Sequence, residues 1–300
     1  MNRSAILNSL GIHVVARAQR MFPPQLRTIP DPPSLLYIQG DPSVLMQPAV
    51  SIVGSRQSTE YGKRQTRRFT EYLARRGVVI VSGLAYGIDL TAHETAIASG
   101  PSVAVIAGGL DVALMSWQEE LARRIIKAGG AVISEYPPGE PALKYHFPER
   151  NRIIAGLSPV TLIAEARDYS GALITARLAA EAGRSVYCVP HDLGRASAAG
   201  SNRLLRDGAN VALEPRDVFE ELLRHLPEET QLRLLATTKS ESSILELLKK
   251  PHTQQQLVEQ LHRPANEVLR QLVQLEIDGK IFRTGDGRFI QKVDSNRNPS

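Results

Sequence analysis

Between Ala49 and Glu214 one pattern recurs: a short, nearly continuous apolar run rich in β-branched residues, followed by a segment with helical spacing. The runs are AVSIVG, GVVIVSG, SVAVIAGG, AVISE, VTLIAEA and SVYCVP, with NVALE after them. Strands that are apolar on both sides need cover on both faces, and crossovers of roughly 10 to 20 residues can return the chain parallel to itself. The pattern predicts an α/β fold, a doubly wound, mostly parallel sheet with helices on both faces. Four of the runs end in or just before Gly54, Gly83, Gly108 and Gly109, or Pro190. Ligands on such sheets settle beyond the carboxyl ends of the strands, so that edge is where a site is expected.

The flanks break the pattern in different ways. Within residues 1–48 the 24-residue stretch FPPQLRTIPDPPSLLYIQGDPSVL holds six prolines, which predicts an extended N-terminal strap rather than an independent core. The alternating domain should span 49–225. From 226 to 240 the alternation is lost and a linker is expected. Residues 241–292 then offer three helical segments and two short strands around TGDG, the order of a winged helix-turn-helix, with a disordered tail at 293–300. The third helix, expected at 264–278, carries Glu267, Glu276 and Asp278 against Arg270 alone, a net charge of −2. An element entering a groove beside phosphates should not be acidic, so a protein contact or an auxiliary DNA contact suits it better.

Charge narrows the partner. The chain carries +5 overall, and between Arg56 and Arg76 seven basic residues face only Glu60 and Glu71, so this one segment equals the whole excess. A localised field of one sign favours an anionic partner, nucleic acid first. The single Cys188 has no disulfide mate and sits in the apolar SVYCVP, where it reads as a small buried hydrophobe. No run of about 18 apolar residues and no secretion signal is present, so a reducing cytoplasm is expected. The sequence has no P-loop, no G-x-S-x-G, no paired carboxylates and no zinc spacing. Neither metal nor cofactor is expected, and the site should bind without reacting.

Four stretches carry the candidate site. In SIVGSRQSTEYG, a strand leads through Gly54, Ser55, Arg56 and Ser58 into a helix starting near Thr59, an arrangement suited to anions because free N–H groups, hydroxyls and a planar cation converge. VSGLAYGIDLTAH repeats it with Gly83 and Gly87, and its Asp89 and His93, four apart on one helical face, read as a structural pair. SGALITARLAAEAGR opens a third helix with Ser170 as expected cap and Gly171 beside it. Lastly FPERNRIIAGLS puts Phe147, Arg150, Asn151 and Arg152 at a helix mouth. Phe147 could stack on a base. Arg150 and Arg152 lie about 200° apart around a helix, so one regular turn cannot aim both at a single ligand.

These motifs, in the order SIVGSR, VSGLAYGID with AH, ISEYPPG, FPERNRIIAGLS, EA with SGALITA, and GR with VYCVP, closely resemble the DprA/Smf family of bacterial DNA-processing proteins. The resemblance covers about residues 21–225 and continues into the winged helix. It implies a Rossmann-like domain that binds and protects single-stranded DNA, acts as a homodimer, and helps load the RecA recombinase in natural transformation, without catalysis. It also implies a basic DNA pocket at Arg56, Lys144, Phe147, Arg150, Asn151 and Arg152, with Gly54, Gly83, Gly171, Ser55, Ser58 and Ser170 in the surrounding phosphate-contacting loops. Two rivals remain: a nucleotide-processing phosphoribohydrolase-like enzyme, whose PGGxGTxxE motif has no match here, and a winged-helix transcription regulator.

Overall fold

The computed structural model of the chain describes residues 7, 11–111, 114–261, 264–277 and 279–292; Asp278 and the expected tail at 293–300 lie outside them. Two strands precede the expected set, β1 (Ile12–Ala16) and β2 (Leu35–Gly40). Then come β3 (Ala49–Gly54), β4 (Val79–Ser82), β5 (Ser102–Val105), β6 (Ala131–Ser134), β7 (Val160–Glu165), β8 (Ser185–Cys188) and the short β9 (Asn210–Val211). All belong to one sheet in the order β1-β2-β6-β5-β4-β3-β7-β8-β9. β2 runs antiparallel to both β1 and β6, with Tyr37 opposite Ser134 and Gly40 opposite Ala131. From β6 to β9 every pairing is parallel.

The period of two along each strand divides the core between the two faces. Val103, Val105, Ala131 and Ile133 join one cluster with Leu26 of the short helix α1 (Pro24–Arg27), while Ala104 and Val132 join another. Helices α2 (Glu60–Ala74), α3 (Ile88–Ala96) and α4 (Ser116–Lys127) follow β3, β4 and β5. Next are α5 (His146–Gly156), α6 (Gly171–Glu181), α7 (Ala199–Arg206) and α8 (Pro215–Arg224). Leu121 and Ile125 of α4 pack on the Ala104 side; Ile153, Ile154, Ala172 and Ala176 of α5 and α6 pack on the Val103 side. This is the doubly wound arrangement expected. Cys188 sits in the core, its thiol pushed up to about 12 by burial, as suits an inert side chain.

Two boundaries differ from expectation. Residues 12–40 are not a strap: β1 and β2 extend the sheet, and Phe22 and Leu26 are fully buried. Five of the six prolines fall in the β1–β2 connection and the sixth after β2, leaving LLYIQG free to pair. Nor is 226–240 a linker, because Glu228–Leu247 forms one helix, α9. No Gly or Pro interrupts residues 228–250, so nothing in the chain chemistry stops it.

A second compact unit begins at Glu228. Beyond α9 it contains α10 (Gln254–Leu261), α11 (Ala265–Ile277) and the antiparallel pair β10 (Ile281–Arg283) and β11 (Phe289–Gln291). Its own core gathers Ile244, Leu248, Leu257, Val268, Leu272 and Phe289. No helix among the described residues is long and apolar enough to cross a membrane.

Candidate nucleic-acid interface

The strand order reverses at β3: the chain leaves it toward β4 on one side and returns as β7 on the other. Loops that leave such a point in opposite directions open a crevice between them. Here the crevice has a volume of about 370 Å³, and its walls come from the β3–α2 loop, the start of α3, α5 and the start of α6.

The β3–α2 loop is held by its neighbours on every side. Ser55 donates its N–H to the Glu165 carbonyl at 2.7 Å, and Ile88 donates to the Ser55 carbonyl at 3.3 Å. Fully buried Glu165 turns its carboxylate onto the mouth of α2, accepting from the Thr59 N–H at 2.9 Å and the Thr59 hydroxyl at 2.8 Å. Thr59 in turn caps the helix by accepting from the Gly62 N–H at 3.2 Å. A Cβ on Gly62 would run into the Glu165 carboxylate, and one on Gly54 would stand 2.5 Å from Ile88 Cγ1. Gly54 is therefore small for the sake of packing against Ile88 and the Glu165 carbonyl. What the clamp presents is Arg56, exposed at the loop tip, its Cζ 5.6 Å from the centre of the Phe147 ring.

Arg150 makes the floor. It is 5% exposed, and its Nη1 donates to the Gly83 carbonyl at 2.8 Å and also to the Val105 carbonyl, tying the ends of β4 and β5 to α5. Burial lowers its guanidinium to about 10, which leaves it a cation. Asp89 accepts from the Gly83 N–H at 3.1 Å; burial pushes its carboxyl up to about 6 against the pull of Arg150. A Cβ on Gly83 would stand 2.8 Å from Asp89 Oδ2 and 3.0 Å from Arg150 Nη2, so Gly83 too is a packing glycine. Asn151 accepts from Arg150 Nε at 3.2 Å and donates to the Gly171 carbonyl at 3.4 Å, fastening α5 to α6.

Other expected residues separate. Arg152 points away from the cleft, to Asp31 at 2.9 Å and Glu135 at 2.7 Å. The half-turn between the two arginines is thus realised, Arg150 inward and Arg152 into an ion-pair network. Lys144 is exposed just ahead of α5 and does not line the cleft; neither does Ser58. His93 does not bond to Asp89: its Nδ1 meets the Ser102 hydroxyl at 2.8 Å, and burial drops its imidazole to about 3. Ser170 stands at the cap position of α6 but makes no capping bond. Its hydroxyl is buried without a partner among the described residues, and the Cα of Gly171 faces open space. The cleft thus brings together an exposed guanidinium, an aromatic ring and, at α6, a helix start that no side chain caps. Glu165 and the floor role of Asp89 were missed from sequence, although a lone acid ending the apolar run VTLIAEA was a visible signal for the first.

Among the described residues no cluster of His, Cys, Asp and Glu could hold a metal ion. The model of the DNA recombination-mediator protein A family matches residues 13–223, and that of the DprA winged helix domain matches 228–287. Protein Smf of Escherichia coli is 37% identical over 285 residues, covering 92% of this chain and 76% of the relative. The crystal structure of DNA processing protein A from Streptococcus pneumoniae superposes with a TM-score of 0.66 at 37% identity, covering 73% of this chain and 77% of that one. The corresponding Helicobacter pylori structure, described for its single-stranded DNA binding mode, gives 0.64 at 30% identity, covering 72% of this chain and 97% of that one. Fold, motifs and relatives agree that the chain belongs to the DprA/Smf family of DNA-processing proteins.

Proposed function

We propose that the cleft between β3 and α6 binds single-stranded DNA of any sequence, and that the chain shields such DNA and helps RecA to load on it during recombination and natural transformation. It does so as a cytoplasmic homodimer and without catalysis. The observation that carries the reading is the exposed guanidinium of Arg56 beside the Phe147 ring, at the same cleft as the uncapped start of α6. A helix start and a guanidinium attract phosphate, and an aromatic face accepts any base, so affinity without sequence preference follows. The single-stranded DNA binding of the Helicobacter pylori relative supports it. Lys144, Gly54, Ser55, Ser58, Gly83, Asn151 and Gly171 belong to this reading as rim or frame, Arg150 as the floor that shapes the cleft. Arg152 serves the frame through Asp31 and Glu135.

The test is fluorescence anisotropy with a labelled oligothymidylate over a range of salt. Arg56→Ala should weaken binding and flatten the slope of log K against log salt by about 0.7, the value of one phosphate contact on a single strand. Phe147→Ala should weaken binding and leave the slope alone. Unchanged binding by both variants would overturn the proposal. For RecA, the measurement is DNA-dependent ATP hydrolysis on DNA already coated by single-strand-binding protein, where the wild-type chain should shorten the lag and Arg56→Ala should not.

A further inference from the structure

Tyr169, in the connection between β7 and α6, is 93% exposed and holds φ at +59°. The N–H of Ser170 donates to the Arg167 carbonyl at 3.3 Å, which makes Tyr169 the third residue of a four-residue turn. Positive φ at that place suits Gly or Asn; a tyrosine there is strained. Its exposure returns no burial energy to offset the strain. Arg203 approaches the ring, its Cζ 5.7 Å from the ring centre, and is itself paired with Asp168 at 3.0 Å. The next two residues along the chain, Ser170 and Gly171, line the cleft at the uncapped start of α6. A strained, solvated aromatic one residue outside a phosphate-accepting helix start is the placement expected of a ligand contact.

We propose that Tyr169 is a second stacking platform at the rim, taking the base of a nucleotide neighbouring the one held at Phe147, with Arg203 steadying the ring and the intervening phosphate near the start of α6. The proposal rests on the reading of the cleft as a single-stranded DNA site. Stacking accepts every base, so this platform lengthens the bound segment without adding sequence preference.

The test uses the full chain, a short oligothymidylate and a series of the same oligonucleotide with a single abasic position moved along it. Tyr169→Ala should bind about 5- to 160-fold more weakly with an unchanged salt slope, and Tyr169→Trp should retain affinity. Tyr169→Gly should bind as weakly as the alanine variant while melting about 2–4 °C higher, because glycine relieves the left-handed strain. At one abasic position the wild type should lose affinity and Tyr169→Ala should lose nothing further; Phe147→Ala should show this insensitivity at a different position. If Tyr169→Ala binds like wild type while Arg56→Ala does not, the second platform is wrong and the cleft reading stands. Equal sensitivity of wild type and Tyr169→Ala at every abasic position also overturns it. A wild-type chain that does not bind oligothymidylate overturns both.

Discussion

Arg150 and Arg152 are two residues apart on α5 and have opposite consequences. Arg150 is a buried cation with two carbonyl acceptors and the Asp89 carboxylate nearby, so Arg150→Ala strands a buried charge and two strand ends at once. Breaking one side of such an arrangement costs about 3–5 kcal/mol, which a urea melt should register. Arg152→Ala gives up partly solvated pairs with Asp31 and Glu135, and oligonucleotide affinity and salt slope should stay at wild-type values. A flattened slope in Arg152→Ala would return that residue to the interface. If Lys144 meets a phosphate as the proposed function has it, Lys144→Ala should flatten it by about 0.7 with little effect on folding, because the residue is exposed. Helix geometry alone showed that the two arginines must diverge. Which one turned inward depended on the carbonyls of Gly83 and Val105, 67 and 45 residues away in sequence, and no local pattern encodes that.

Along α3, two buried groups titrate in opposite senses. Asp89 has its pKa raised to about 6, so between pH 4 and 6 the folded state holds a proton that the unfolded chain has released, and acidification stabilises the fold through this group. His93 has its pKa lowered to about 3, so over the same interval the unfolded chain takes up a proton that the folded state refuses, and acidification destabilises the fold. Each contributes a slope of about 1.4 kcal/mol per pH unit where it is fully engaged, and the two nearly cancel. Asp89→Asn keeps the acceptor for the Gly83 N–H and removes one of the two terms. Its unfolding free energy, from urea titrations at pH 4, 5 and 6, should fall by about 1.4 kcal/mol per unit of acidification more steeply than wild type. Equal pH dependence in the two proteins would refute the assignment. The strands around this helix were legible because buried parallel strands must be continuously apolar. β1 and β2 were not: β2 takes its place by pairing with β6 about a hundred residues on, β1 by pairing with β2, and a proline-rich connection masks both. The helix α9 is marked by no strand alternation and by no strong apolar stripe, only by the absence of Gly and Pro from 228 to 250.

At the scale of the whole molecule, the division at Pro227 separates a sheet unit that contains every lining residue of the cleft from a small unit with its own core. The cleft's existence was legible, because helix starts following parallel strands necessarily gather at one sheet edge. Its interior was less so: a glycine that faces a ligand and one that faces a neighbour read alike in sequence, and only Ile88 beside Gly54, and Asp89 and Arg150 beside Gly83, make these two packing positions. The same division yields a test of where phosphate is bound. α11 presents Glu267 and Glu276 against Arg270 among its described residues, and its outer side carries exposed Leu269, Val273 and Ile277. That surface lacks the cationic excess that counterion release requires. A chain ending at Pro227 should therefore fold, and its oligothymidylate binding should keep the wild-type salt slope and the full effect of Arg56→Ala. A slope lower by about 0.7 or more in the shortened chain would mean that the second unit holds at least one phosphate itself. In that case the basic residues Lys280, Arg283 and Arg288 around the β10–β11 turn, and not α11, would be the place to find it.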